Sequence, residues 1–141
     1  MNYVTTSNID FEHDTASWVT PQLAITNMVG GQNAWRDTDC YIVNTAAELF
    51  TPCHYKIPVV PHQGEAFIRD ALDSLAKLIH NLIEHNNAKV VVHCYAGMER
   101  SALTCVWYLC TYNNISMDDA YELVQKVRPV VLDRRSWIDG V

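Results

Sequence analysis

The sequence has 141 residues, 49% of them hydrophobic, so it can build the core of one compact domain and leaves little room for a second. Its formal net charge is −6 and it has no run of Lys or Arg, which argues against a nucleic-acid backbone or an anionic membrane as the main partner. No apolar stretch approaches the ~20 residues that span a bilayer. Because the first residues also lack a basic and apolar signal, we expect a soluble, cytoplasmic protein.

The first half of the chain predicts short strands separated by turns. Residues 1–17 are polar and mixed, so we expect a loosely attached arm or a short first helix there. Gly30 and Gly31 predict a turn, followed by one helical turn over 32–36. Apolar runs predict three strands, at 22–26, 41–43 and 55–60.

The second half predicts longer elements. Apolar residues recur at helical spacing over 65–85, whereas the apolar run 89–92 predicts a central, fully buried strand. A helix is expected directly after residue 101, and a further one begins at Ser116, whose side chain can cap it. A final short helix is expected near Asp133.

Strands that alternate with helices predict a single α/β domain over residues 1–141, with a mainly parallel central sheet and helices on both faces. Ligands of such sheets bind at the carboxyl ends of the strands. The loop 93–101 follows the predicted central strand at such an end, which makes it the candidate binding site.

The five cysteines are odd in number and include no C-x-x-C pair, which argues against a disulfide framework or a zinc cluster. We expect Cys40, Cys105 and Cys110 to be small buried residues of the core. Cys53 is either another such residue or a redox partner for a second thiol. Cys94 differs from these four cysteines because it lies in the loop between a predicted strand and a predicted helix.

Cys94 and Arg100 stand six positions apart, with Gly97 between them and a predicted helix directly after. A loop of this length can turn its N–H groups toward one centre, and the unpaired amides and dipole of the helix add positive potential. The result is a cradle for a tetrahedral oxyanion. The expected substrate-binding residues are those of the loop, namely Tyr95, Ala96, Gly97, Met98, Glu99 and Arg100.

Each polar side chain of the loop has a predicted role. Cys94, surrounded by donors, has a lowered pKa and is the nucleophile as a thiolate. Arg100 grips two phosphate oxygens with its planar fork, which lysine cannot copy. Ser101 donates to the sulfur and helps it leave when water attacks a phosphocysteine, and His93 fixes the loop. An isolated C-x5-R match would instead leave Cys94 as a plain buried cysteine, but the strand before it and the helix after it favour the catalytic role.

The segment 91–101 resembles the H-C-x-x-G-x-x-R-[ST] signature of the protein tyrosine phosphatase superfamily, and its flanks resemble the dual-specificity branch. Similarities extend over nearly the whole chain, at 18–25, 41–48, 55–59 and 120–129. The resemblance implies hydrolysis of phosphate monoesters through a cysteinyl-phosphate on Cys94, without metal or another cofactor. Its implied substrates are phosphotyrosine and phosphoserine/threonine proteins.

One departure from the family concerns the general acid, an aspartate just after the Ile-Pro strand, because residues 58–65 contain none. His62 and Glu65 are the titratable residues there, and His62 precedes Cys94 by 32 positions, close to the family's usual interval. Three alternatives remain: His62 donates the proton, Glu65 donates it, or neither does. The missing aspartate also leaves open an RNA 5′-phosphatase, another enzyme with a good leaving group, or a phosphate-binding module with weak turnover.

Overall fold

The computed structural model describes residues 11–37 and 39–139. Within them one sheet is formed by strands β1 Ser17–Thr20, β2 Leu23–Thr26, β3 Cys40–Asn44, β4 Tyr55–Lys56 and β5 Lys89–His93. The order across the sheet is β1-β2-β5-β3-β4. β1 and β2 are antiparallel, whereas β2, β5, β3 and β4 are joined by parallel pairings. The mainly parallel sheet and the central place of β5 confirm the predicted fold class.

Four helices of the described residues pack around the sheet: α1 Met28–Trp35, α2 Glu65–Asn86, α3 Arg100–Asn113 and α4 Met117–Val127. Short 3-10 turns occupy Pro61–Gln63 and Arg135–Trp137, the second where a final helix was predicted. Ser116 caps α4 as expected, since its hydroxyl accepts from the N–H of Asp119 at 3.1 Å. None of the helices in this part of the chain combines the length and the apolar character of a membrane crossing.

The core lies on both faces of the sheet because β5 alternates its side chains between them. Val90 and Val92 pack with the apolar faces of α2, α3 and α4 in the larger cluster. Val91 points to the other face and packs with Ala24 and Ile42 beneath α1. All three valines are fully buried, which stabilises the fold by ~1.5–3 kcal/mol for each side chain.

The prediction of a turn at Gly30 and Gly31 was wrong, because both residues lie inside α1. Asn27 caps this helix through a side-chain oxygen that accepts from the N–H of Gly30 at 2.8 Å. A Cβ on Gly30 would lie 1.8 Å from Oγ1 of Thr26, and one on Gly31 would lie 2.7 Å from the ring of His93. The glycines therefore serve close packing of the helix on the strand ends rather than a change of chain direction.

The strand predicted over 55–60 is shorter than expected, since only Tyr55–Lys56 is regular strand. The chain still follows β3 beyond it, because the N–H groups of Ile57 and Val59 donate to the carbonyls of Asn44 and Thr45. Pro58 between them has no N–H to donate, which limits the ladder at this edge.

The arm predicted over 1–17 lies partly outside the described residues. Residues 11–16 form a turn rather than a helix, and Ser17 already belongs to β1. The apolar run at 22–26 predicted β2 but not β1, so the hairpin that the two strands form was predicted only in part.

Candidate active site

The loop 94–99 joins the end of β5 to the start of α3 at the carboxyl edge of the sheet. Gly97 at its turn has a φ of 69°, a left-handed conformation that favours glycine. A Cβ at this position would lie 2.6 Å from Nη2 of Arg128 and 2.7 Å from the carbonyl oxygen of Thr26. Gly97 is thus required both by the backbone angle and by the surfaces beneath the loop.

Cys94 lies at the bottom of the loop with 1% of its surface exposed, and its Sγ is 3.3 Å from Oγ of Ser101. Burial raises the pKa of the Cys94 thiol. Hydrogen bonds from the Ser101 hydroxyl and from the N–H groups of Ser101, Gly97 and Glu99 outweigh burial, so the pKa is lowered overall. The loop therefore directs its amides at the sulfur, and it favours the thiolate.

Five of the six carbonyls of the loop 94–99, all except that of Ala96, accept a hydrogen bond within the described residues. The carbonyl of Cys94 accepts from Nδ1 of His93, and that of Gly97 accepts from Nε of Arg128. The carbonyls of Tyr95, Met98 and Glu99 accept from the backbone N–H groups of Met28, Leu132 and Leu103, respectively. Because a peptide group is planar, an outward carbonyl turns the following N–H inward. This outer ring of donors keeps the cradle in shape.

His93 contributes to that ring from a fully buried position. Burial lowers the pKa of His93, so the ring is neutral at pH 7. Its Nδ1 lies 3.2 Å from the carbonyl oxygen of Cys94, which can only accept, so Nδ1 carries the proton. The side chain contacts the backbone of the loop, in keeping with the predicted supporting role.

Arg100 begins α3 and forms an ion pair that sequence reasoning missed. Its Nη1 and Nη2 each donate at 2.8 Å to one carboxylate oxygen of Glu48. The hydrogen bond from Arg100 lowers the pKa of Glu48 to about 2. The pair forms because Glu48 follows β3, whose carboxyl end adjoins that of β5 in the folded sheet.

Glu99, a predicted member of the cradle, is also paired outside it. Its Oε2 accepts from Nε of Arg134 at 2.7 Å and lies 2.5 Å from Nη2 of the same residue. The ring of Trp137 lies beside the Arg134 guanidinium, with 5.8 Å between the centroid and Cζ. The two acidic residues next to Arg100 are therefore both neutralised by arginines.

The two candidate acids occupy different places. His62 lies in the turn Pro61–Gln63 and lines a cleft of about 650 Å³ together with Arg100 and Glu48. Glu65 begins α2 and accepts instead from Nε of Arg69 at 2.9 Å. The structure therefore brings His62, and not Glu65, to the same cleft as Arg100.

The other cysteines have free thiols as well. Cys40 and Cys105 are buried, and burial raises the pKa of both, which makes them poor nucleophiles. Cys110 and Cys53 are only half buried, so full burial was wrong for Cys110. Among residues 11–37 and 39–139 no group of three His, Cys, Asp or Glu side chains could hold a metal ion.

Comparison with known proteins places this loop in a family context. The family model described as dual specificity phosphatase, catalytic domain, matches residues 21–140. The chain is similar to human dual specificity protein phosphatase 21, with 34% identity over 95 residues that cover 64% of this chain and 49% of that protein. It is also similar to mouse dual specificity protein phosphatase 14, with 38% identity over 80 residues that cover 55% of this chain and 38% of that protein. The chain thus spans about half or less of the length of these relatives.

A solved structure has the same fold. It is a mouse putative dual specificity phosphatase complexed with zinc tungstate, with a TM-score of 0.74 and 22% identity. The match covers 91% of this chain and 84% of that one.

Proposed function

The chain belongs to the dual specificity phosphatase family, as its signature loop predicted, and from that premise we propose that it hydrolyses phosphate monoesters with Cys94 as the nucleophile. The observation that carries the proposal is the set of donors around Sγ. The Ser101 hydroxyl and N–H groups of the loop point at it, and Arg100 stands at the edge of the same loop. Such a site holds a thiolate and a phosphate dianion in contact.

The reaction has two steps that balance. The Cys94 thiolate attacks phosphorus, the bond to the ester oxygen breaks, and the leaving alkoxide or phenoxide takes a proton from His62, Glu65 or solvent, leaving a cysteinyl-phosphate. Water then attacks phosphorus and the sulfur–phosphorus bond breaks. One proton of the water returns to that donor or to solvent, and the other departs with the inorganic phosphate. Ser101, 3.3 Å from Sγ, donates to the returning thiolate, while Arg100 and the loop amides hold the transferring oxygens throughout.

The proposed substrates are phosphotyrosine and phosphoserine/threonine side chains of proteins, as the family implies. The ion pair of Glu99 with Arg134 supports an anionic substrate, because it neutralises a carboxylate that adjoins Arg100 in the chain. We further propose a cytoplasmic location. The thiolate nucleophile and the four other free thiols favour a reducing compartment.

A second candidate function follows from residues 58–65, which lack the family's aspartate. Without a strong acid the enzyme would favour substrates whose leaving group departs unprotonated, such as the phosphoanhydrides at triphosphorylated RNA ends, or would bind phosphate with weak turnover. Rates measured on a series of phosphate esters whose leaving groups differ in basicity distinguish these functions.

The test is phosphate release from an aryl phosphate by the full chain and by Cys94→Ser. Turnover is expected to vanish in Cys94→Ser while vanadate still binds, because the amides and Arg100 are unchanged. Cys110→Ser, the same substitution at a half-buried thiol of α3, is the control and should act as the parent does. Turnover by Cys94→Ser within ~10-fold of the parent would exclude the thiol as nucleophile.

A further inference from the structure

Arg128, just after α4, lies beneath the phosphate cradle and is fully buried. Its Nε donates to the carbonyl of Gly97 at 2.7 Å. Its other nitrogens donate to residues 13–17: Nη2 to the carbonyl of His13 at 2.8 Å, and Nη1 to the carbonyl of Thr15 at 3.3 Å and to Oγ of Ser17 at 3.1 Å. One side chain therefore joins the N-terminal segment to the turn of the catalytic loop.

The hydrogen-bond partners of Arg128 are all neutral, although a buried guanidinium ordinarily requires a carboxylate beside it. Burial lowers its pKa, whereas the charges of Cys94 and Asp14 raise it. A guanidinium remains protonated even then. The cation therefore faces the base of the cradle, where the thiolate forms on Cys94.

The N-terminal segment reaches the loop by a second route as well. Oδ1 of Asp14 accepts from Nδ2 of Asn27 at 2.7 Å. Asn27 precedes Met28, whose N–H donates to the carbonyl of Tyr95 in the cradle at 3.0 Å. Residues 13–17 thus contact Arg128, which holds the Gly97 carbonyl, and Asn27, whose neighbour Met28 holds the Tyr95 carbonyl. They precede residues 21–140, the region matched by the family model.

We propose that Arg128 is a positioning residue for the catalytic loop, and that residues 11–17 form a strap that holds its guanidinium against the Gly97 carbonyl. The proposal rests on the proposed function where it concerns turnover. The strap keeps the carbonyl turned outward and so keeps the following amide turned toward the phosphate. The fixed charge of Arg128, which interacts with that of Cys94, also favours the thiolate.

The first experiment compares Arg128→Met and Arg128→Lys with the parent, full-length in each case. Arg128→Met removes the charge and the fork, so the pH at which Cys94 becomes reactive toward iodoacetamide should rise by about one unit. Its kcat should fall at least ~10-fold, because a hydrogen bond from a charged group to the loop is lost. Arg128→Lys keeps the charge, so it should retain most of the ionisation of Cys94 and still lose turnover.

Other groups that bear on Cys94, namely Arg100, Ser101, Glu99 and His93, are unchanged in both variants. Arg135→Met is the matched control, since this arginine pairs with Asp118 and Asp133 and not with the loop. It should leave both the alkylation profile and kcat as in the parent. The proposal would be overturned if Arg128→Met folded and both its kcat and its rate of Cys94 alkylation were within ~2-fold of the parent's.

The strap is tested with both arginines of the site intact. Phe11 lies 5.2 Å from Cζ of Arg128, so Phe11→Ala with Ser17→Ala removes two neutral contacts of the guanidinium without a change of charge. We expect kcat to fall about fivefold, since the carbonyls of the strap still accept. Glu12→Gln, at an exposed position of the same strap, is the control.

If Arg128→Met does not fold, Arg128→Lys and the double variant Phe11→Ala with Ser17→Ala still test the proposal. Parental kcat and alkylation in both Arg128→Lys and the strap double variant would overturn the proposal, whereas a loss of kcat in either with an unchanged Tm supports it. Alkylation and vanadate binding need no turnover. A parent protein without phosphatase activity would therefore contradict the proposed function alone, and the positioning role would still be measured.

Discussion

The carboxylate of Glu48 and the guanidinium of Arg100 form a two-pronged ion pair, with both terminal nitrogens at 2.8 Å from an oxygen. This contact uses one hydrogen on each terminal nitrogen. Nε–H and the remaining hydrogen of the terminal nitrogen on the same edge form a second fork, whose geometry suits two phosphate oxygens. We therefore expect Glu48 to orient Arg100 for the substrate rather than to compete with it.

We predict that Glu48→Gln lowers kcat/KM by about tenfold, because the guanidinium is then free to leave the orientation that the phosphate needs. Initial rates on an aryl phosphate measure the effect. Glu84→Gln, at an exposed position of α2, is the control for the lost charge. An unaltered kcat/KM in Glu48→Gln would show that the ion pair does not orient Arg100.

The same pair predicts a pH dependence of stability. Arg100 lowers the pKa of Glu48 to about 2, so the carboxylate binds protons more weakly in the folded state than in the unfolded one. The contribution of the ion pair to the free energy of unfolding is complete above the ordinary glutamate pKa of ~4.3, and it is lost as the pH falls from there toward 2. Denaturant melts of the parent and Glu48→Gln should therefore differ at pH 6 and converge near pH 2. A difference that persists at pH 2 contradicts the assignment.

Arg100→Lys keeps the positive charge and removes the fork. We expect a loss of at least ~2 kcal/mol in transition-state stabilisation, since a charge-assisted hydrogen bond is worth about that much. Arg69→Lys, on the exposed surface of α2, provides the same substitution away from the cleft. A near-normal kcat/KM in Arg100→Lys would mean that the guanidinium does not bind the phosphate.

The lowered pKa of Cys94 predicts alkylation as a thiolate at a pH well below the ~8.5 of a free cysteine. Vanadate should protect the residue by filling the cradle. Burial raises the pKa of Cys110, so that thiol should remain unlabelled under the same mild conditions. If the rate at Cys94 rises only through an ordinary thiol pKa, the amides do not stabilise the thiolate.

The acid is tested by the dependence of rate on the basicity of the leaving group. If His62 donates, the dependence should be shallow and an alkaline limb should limit the pH profile. His62→Asn should then steepen the dependence and slow poor leaving groups by ~10²–10⁴-fold. Glu65→Gln is the companion variant, and it should alter neither quantity if His62 is the donor.

Two other outcomes separate the remaining alternatives. An unchanged slope and profile in His62→Asn eliminate His62. A steep dependence already present in the parent indicates that no side chain donates the proton and favours substrates with good leaving groups.

The sequence by itself determined the features that depend on local pattern. Helical periodicity defined α2, the apolar run defined β5, and Ser116 marked the start of α4, because each is a pattern of residues that are close together in the chain. The loop 93–101 was recognisable for the same reason, since the strand, the cradle and the helix are consecutive. These features were sufficient to predict the fold class and the family.

Only the tertiary structure decided which distant residues support the loop. Glu48 meets Arg100 because β3 lies next to β5, and Arg128 meets Gly97 and the strap because α4 returns the chain beneath the cradle. Gly30 and Gly31 lie in a helix because their lack of side chains lets α1 approach Thr26 and His93. Such contacts join positions far apart in sequence, and no local spacing encodes them. They arise from strand order and close packing, which exist only once the whole sheet has formed.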